Sequence, residues 1–98
     1  MKIKSFFVRS IEAIENDFKI VLDNDWSAVI FEIEGVDLLK EDPIAITTAI
    51  ESSFLKEKLG EDFYCYEFYV AKVIEYQQKT LAIIQFRGDA EELEKSLM

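Results

Sequence analysis

Apolar residues in this chain fall into two periods. Stretches where apolar and polar positions alternate flank a middle segment where apolar positions recur every three or four residues. A period of two marks a half-buried strand, and a period near 3.6 marks a helix. Residues 2–14 are rich in Phe, Val and Ile and read as a strand. Phe7, Ile11, Ile14 and Phe18 also fit helical spacing, so a helix stays open there. Glu15-Asn16-Asp17 reads as a turn, and Phe18, Ile20 and Leu22 alternate with Lys19, Val21 and Asp23 as a second strand. Asp23-Asn24-Asp25 is a further turn, since these side chains bond their own backbone. Residues 26–34 form a third strand with Val29, Phe31 and Ile33 on one face, which completes an antiparallel meander.

The clearest helix is expected over 43–59. Asp42 stands as its N-cap, Pro43 takes the first helical position where an N–H is not needed, and Gly60 follows as a left-handed terminator. Ile46, Ile50 and Phe54, with Ala49 and Leu55 beside them, line its apolar face. A long strand over 62–76, a turn at Gln77-Gln78-Lys79 and a strand over 80–87 follow. Gly88 then breaks the pattern, and Asp89, with Glu92 three residues on, opens a short C-terminal helix. The expected fold is therefore a single α+β domain over 1–98. It has an antiparallel-dominated sheet of four to five strands in the order βββ-α-ββ-α, packed by one main helix and the short terminal one. Val29, Phe31, Ile33, Ile46, Ile50, Phe54 and Ile83 are the expected core.

Composition supports a folded chain, with half of the 98 residues apolar. Charge changes the picture more. Residues 1–11 carry +3, residues 12–42 carry −8 and residues 43–98 carry −4, for a net charge of −9. Such a field repels nucleic acid and anionic membrane and speeds encounter with a basic protein. Neither an uninterrupted apolar signal run nor a bilayer-length segment occurs. The single cysteine, Cys65, has no partner for an internal disulfide and reads as a small buried residue of an aromatic strand, so a cytoplasmic setting is expected.

Catalytic chemistry has little to work with. Histidine is absent, which together with a lone cysteine rules out Cys–His nucleophiles and zinc sets. Three scattered glycines make no phosphate loop. No enzyme activity, cofactor or metal is expected; a carboxylate pair within 12–42 is the competing enzymatic reading. Asp23, Asp25, Ser27 and Glu34 match four positions of an EF-hand loop, but Ala28 occupies the place of the glycine that lets the loop curl. Arg87-Gly88-Asp89 spells an adhesion tripeptide, although its Gly and Asp have plain duties in ending a strand and capping a helix. In Phe63-Tyr64-Cys65-Tyr66-Glu67-Phe68-Tyr69-Val70, strand alternation would make both faces largely apolar or aromatic. One set, including Tyr69, is a candidate for partner contact, because Tyr and Trp are favoured at interface hot spots.

The run from Tyr69 to Phe86 (YVAKVIEYQQKTLAIIQF), followed by Ala90 to Leu97 (AEELEKSL), resembles the closing hairpin and short helix of the immunity protein 10 family of bacterial polymorphic-toxin systems. The likeness covers about the last thirty residues, and Val70-Ala71 stands where that family tends to carry a glycine pair. The resemblance implies a non-catalytic antitoxin that neutralises a basic toxin domain, such as a nuclease, by stoichiometric binding. The contact residues expected from the acidic turns are Asp23, Asp25, Asp37, Glu41 and Asp42, with Trp26 as an aromatic anchor; Tyr69 marks a competing contact face on the aromatic strand. An acidic dimeric secretion chaperone, self-paired along 62–76, is the alternative.

Overall fold

The computed structural model describes residues 1–23 and 25–98, and for Val70 and Ala71 the backbone alone; the middle of the turn expected at Asp23-Asn24-Asp25 therefore lies outside the described residues. Four strands, β1 (Lys2–Arg9), β2 (Ser27–Glu34), β3 (Glu67–Tyr76) and β4 (Lys79–Arg87), form one sheet in the order β1-β2-β4-β3. Every neighbouring pair is antiparallel. The two central strands are covered on both faces, which is why their apolar runs are continuous around 28–31 and 81–84.

On one face Val29, Phe31 and Ile33 of β2 and Ala82, Ile84 and Phe86 of β4 pack against a helical layer. That layer begins with α2 (Pro43–Ile50), runs through a single wider π-helical turn (Glu51–Leu55) and ends in α3 (Lys56–Leu59). Asp42 caps it, its carboxylate accepting the Ile44 N–H at 2.8 Å, and Ile46, Ile50, Leu55 and Leu59 supply its buried side. The C-terminal helix, numbered α4 (Ala90–Leu97), is capped by Asp89 and adds Leu93 and Leu97 to the same layer. The mixed α+β class, the main helix and the terminal helix are those expected. Phe54 is half-buried against this core, while Ile83 is buried on the opposite face.

That opposite face holds the main departure from expectation. Helix α1 (Ile11–Phe18) replaces the expected continuation of the first strand, so the observed order is β-α-β-α-β-β-α. Ser10 caps α1 by accepting the Ala13 N–H, and Lys19 closes it in left-handed geometry, donating its N–H to Glu15 O. Ile14 is thereby sealed onto Ala28, Ile30, Leu81 and Ile83, with Ile11 and Phe18 alongside. Residues 19–23 are not a strand; the Leu22 N–H instead donates to the Glu15 carboxylate at 2.9 Å.

A second correction concerns residues 62–66. Gly60 has φ 57° but ψ −128°, outside left-handed helical geometry, and the chain continues as a 3-10 turn (Gly60–Cys65) before β3 begins at Glu67. Cys65 is consequently exposed and not a buried strand residue. The positive φ of Gly88 brings it so close to the Tyr66 ring that a methyl group there would overlap the ring.

Candidate protein-binding site

Strand β2 divides the residues expected to form one acidic contact surface. Asp23, Asp25 and Trp26 precede its first residue, and Asp37, Glu41 and Asp42 follow its last. Eight residues at a strand rise of about 3.3 Å put roughly 25 Å between the two groups. They form two poles.

At the first pole the register of β2 and β4, with Ser27 opposite Phe86, sets Trp26 beside Arg87. The Arg87 guanidinium lies 4.3 Å from the centre of the Trp26 ring, and Tyr69 of β3 stands 5.8 Å from that ring on the other strand pair. Glu67 is the cross-strand neighbour of Arg87, and Tyr69 that of Gln85. Tyr69 is 56% exposed. Among the described residues Arg87 forms no salt bridge, so its guanidinium is held by the indole and not consumed by a carboxylate.

Gln85 ties this pole to the core. Among the described residues it is one of two buried polar side chains, with Thr47, and its amide clamps the incoming segment. Its Nε2 donates to Asp23 O at 2.8 Å and to Trp26 O at 3.3 Å, while its Oε1 accepts the Asp23 N–H at 3.1 Å. The Asp23 carboxylate in turn accepts the Asp25 N–H at 3.0 Å, which leaves the exposed Asp25 carboxylate outside these bonds. Arg87 and Gln85 were not among the expected site residues. A glutamine inside the apolar run 81–86 was the available signal, since a buried amide needs partners.

At the second pole the acids shape the backbone. Asp37 accepts the Leu39 N–H through its side chain and the Lys40 and Glu41 N–H groups through its carbonyl. Glu41 returns a carboxylate oxygen to the Asp37 N–H at 2.8 Å, and Asp42 caps α2. Beside them a groove of about 290 Å³ is lined by the apolar Met1, Val36, Ala45, Ile46 and Ala49 and by the charged Lys40, Glu41 and Asp42.

Several other motifs are accounted for locally. Asp89 of the adhesion-like tripeptide accepts the Glu91 and Glu92 N–H groups, and Arg87 stacks on Trp26. Glu34 ends β2 at the far pole from Asp23 and Asp25, so the EF-hand set does not converge. Tyr66 sits beside a cavity of about 370 Å³ with Asp62, Asp89 and Glu92. Burial first, and then the charges of Glu92, Asp89 and Asp62, push its phenol pKa up. Among the described residues no group of three or more His, Cys, Asp or Glu is placed to hold a metal, and no helix is long and apolar enough to cross a membrane.

Together these features define an acidic antiparallel-sheet domain with an aromatic and guanidinium cluster at one end. Comparison of the chain with protein-family models, curated proteins and solved structures finds no match.

Proposed function

We propose that this chain is a non-catalytic protein-binding domain that neutralises a basic partner by stoichiometric binding, as an immunity protein does its toxin. The observation that carries this reading is the Trp26–Arg87–Tyr69 cluster, held by the buried Gln85 clamp. Trp, Tyr and Arg are the residue types that dominate interface hot spots. A site fixed before encounter also loses little entropy on binding. Asp23, Asp25 and Glu67 at its margin, and the net charge of −9, favour a partner of opposite charge and hasten the encounter.

The test starts from the partner captured by the full chain from its native host. Trp26→Ala should weaken that complex by about 2 kcal/mol or more, which is roughly a thirtyfold rise in Kd. Asp25→Lys should slow association, and the effect should shrink as salt is raised. Asp25 suits this better than Asp23, whose carboxylate has a structural hydrogen bond to lose. Glu91→Lys and Glu94→Lys on α4 serve as controls of equal charge. If the controls slow association as much as Asp25→Lys, and Trp26→Ala leaves affinity intact, the site assignment fails.

The chaperone-like alternative would pair two copies along the exposed edge of β3. The register shift between Val70 and Lys72 opposes this, because a bulge interrupts an edge that a second strand would have to follow. A monomer by sedimentation equilibrium is the expected result.

A further inference from the structure

We propose that Trp26 and Tyr69 form a seat for an arginine side chain of the basic partner, and that Arg87 occupies it only until that partner arrives. The basic character of the partner rests on the function proposed above; the seat itself stands on geometry. Three observations point to it. The Arg87 guanidinium already lies 4.3 Å from the centre of the Trp26 ring, so the indole is placed to hold a planar cation, and the exposed Tyr69 ring stands beside it at 5.8 Å. Helix α1 covers this face of the sheet over Ala28, Ile30, Leu81 and Ile83, and Glu67, Tyr69 and Arg87 stay exposed beyond it. Lastly, Arg87 and Glu67 are direct cross-strand neighbours of opposite charge, yet among the described residues neither takes part in a salt bridge.

This unmade pair is the telling feature. Side chains directly opposite on antiparallel strands have Cβ atoms about 4.5–5.5 Å apart, so Glu67 is within reach of the guanidinium that now stacks on the indole. Arg87 therefore has a second resting place. An exposed cation–π contact favours the stacked one by only about two- to fivefold. A partner arginine arrives with a surface that excludes water from the ring. The desolvated contact is then favoured by about thirtyfold or more, so the newcomer displaces Arg87. Arg87 swings to Glu67, and neither charge is left buried without a partner. The Asp25 carboxylate, in no salt bridge among the described residues, is left to face the incoming cation, while that of Asp23 is committed to the Asp25 N–H. Arginine suits the seat better than lysine, because a planar, weakly hydrated guanidinium stacks on a ring and an ammonium keeps its water.

The proposal is tested on the full 98-residue chain with the peptide acetyl-Gly-Arg-Gly-Arg-Gly-amide and its citrulline counterpart, which keeps the shape and loses the charge. Salt is held at about 0.15 M, where the Debye length is about 8 Å. Trp26 is the single tryptophan, so its fluorescence and indole proton signals report the seat. The arginine peptide should move both, and the citrulline peptide neither. On binding, the Arg87 Nε–H resonance should lose the ring-current shift of the indole and gain the downfield shift of a carboxylate partner, the latter absent in Glu67→Gln. Arg87→Met changes an exposed position, so it should fold as the parent does. It vacates the seat and should tighten the arginine peptide about two- to fivefold. Lys72→Met removes the same charge from β3, about 13 Å along the sheet, and should leave affinity nearly unchanged. The proposal is overturned if Arg87→Met weakens the peptide or only matches Lys72→Met, or if the citrulline peptide binds as well. It is equally overturned if the Arg87 resonance stays put while Trp26 responds, or if no signal moves at millimolar peptide. With the captured partner, a complex weakened by both Trp26→Ala and Arg87→Met would sink the exchange and leave the proposed function standing. A complex indifferent to Trp26→Ala, with the peptide results as expected, would sink the functional site and leave the seat.

Discussion

Gln77 and Gln78 turn the β3–β4 hairpin with φ of 50° and 65°, a two-residue connection that normally calls for Asn-Gly. Each left-handed non-glycine residue costs about 1–2 kcal/mol. Replacing the pair by Gln77→Asn and Gln78→Gly should therefore raise stability by about 1 kcal/mol or more without altering the denaturant slope. For a domain of this size that is a gain of roughly 4–8 °C in Tm per kcal/mol. Glu51 presents the opposite situation, a charge placed where it is poorly solvated. It lies half-buried in the π-helical turn, and desolvation raises its carboxyl pKa above the ordinary value of 4.5. The folded chain thus binds this proton more tightly than the unfolded chain does. The penalty is present in full above the folded pKa and disappears as pH falls below the unfolded one. Glu51→Gln should raise Tm at pH 7, and the advantage over the parent should close on acidification through this range. An advantage that persists unchanged at pH 3 would assign the gain to packing.

The segment from α1 to β2 depends on one buried side chain. Gln85→Met keeps the volume but leaves the Asp23 N–H, Asp23 O and Trp26 O without their partner. A loss of about 1–3 kcal/mol is expected. Because Trp26 is the single tryptophan, its fluorescence anisotropy should fall as the segment loosens, even where circular dichroism is unchanged. Elements with chemical punctuation were legible in the sequence. Asp42-Pro43 opened the main helix, Asp89 opened the terminal one, and β2 and β4 showed as apolar runs. Helix α1 was not, since Ile11, Ile14 and Phe18 were spaced for a helix yet embedded in strand-favouring composition. The Ser10 cap that decides the matter is a contact of one hydroxyl with one N–H. The aromatic run 63–66 misled in the opposite direction: its β propensity yields to the 3-10 turn that carries the chain off α3. The candidate site was half legible. Trp26 and Tyr69 do meet, and Gln85 ties Asp23 to Trp26, but the strand register that brings Arg87 to them is tertiary information.

At the scale of the whole molecule, a charge of −9 is gathered in a body of 34 × 28 × 20 Å. Repulsion among the acids acts across that body, while the ion pairs that offset it are local. Glu32 bridges Lys4 and Lys79, Lys2 and Lys4 approach Glu34, and Arg9 meets Asp17 at 2.9 Å. The exposed pairs of Glu34 and Asp17 contribute about 0–1 kcal/mol each and are weakened by salt, whereas Glu32, its side chain 16% exposed, is screened less. The long-range term responds more steeply, since the Debye length contracts from about 30 Å at 0.01 M salt to about 8 Å at 0.15 M, that is, from the size of the molecule to a fraction of it. Raising sodium chloride over this interval should increase Tm by a few degrees, because the repulsion relieved exceeds the attraction lost. The same change should lower the association rate with a basic partner by about tenfold or more, because steering uses the field that salt removes. One titration of salt, read by thermal melting and by stopped-flow mixing with the captured partner, should thus give slopes of opposite sign. A Tm that falls with salt would show that the local pairs around Glu32 outweigh the net field. An association rate indifferent to salt would remove charge from recognition and leave the Trp26 cluster to account for it alone.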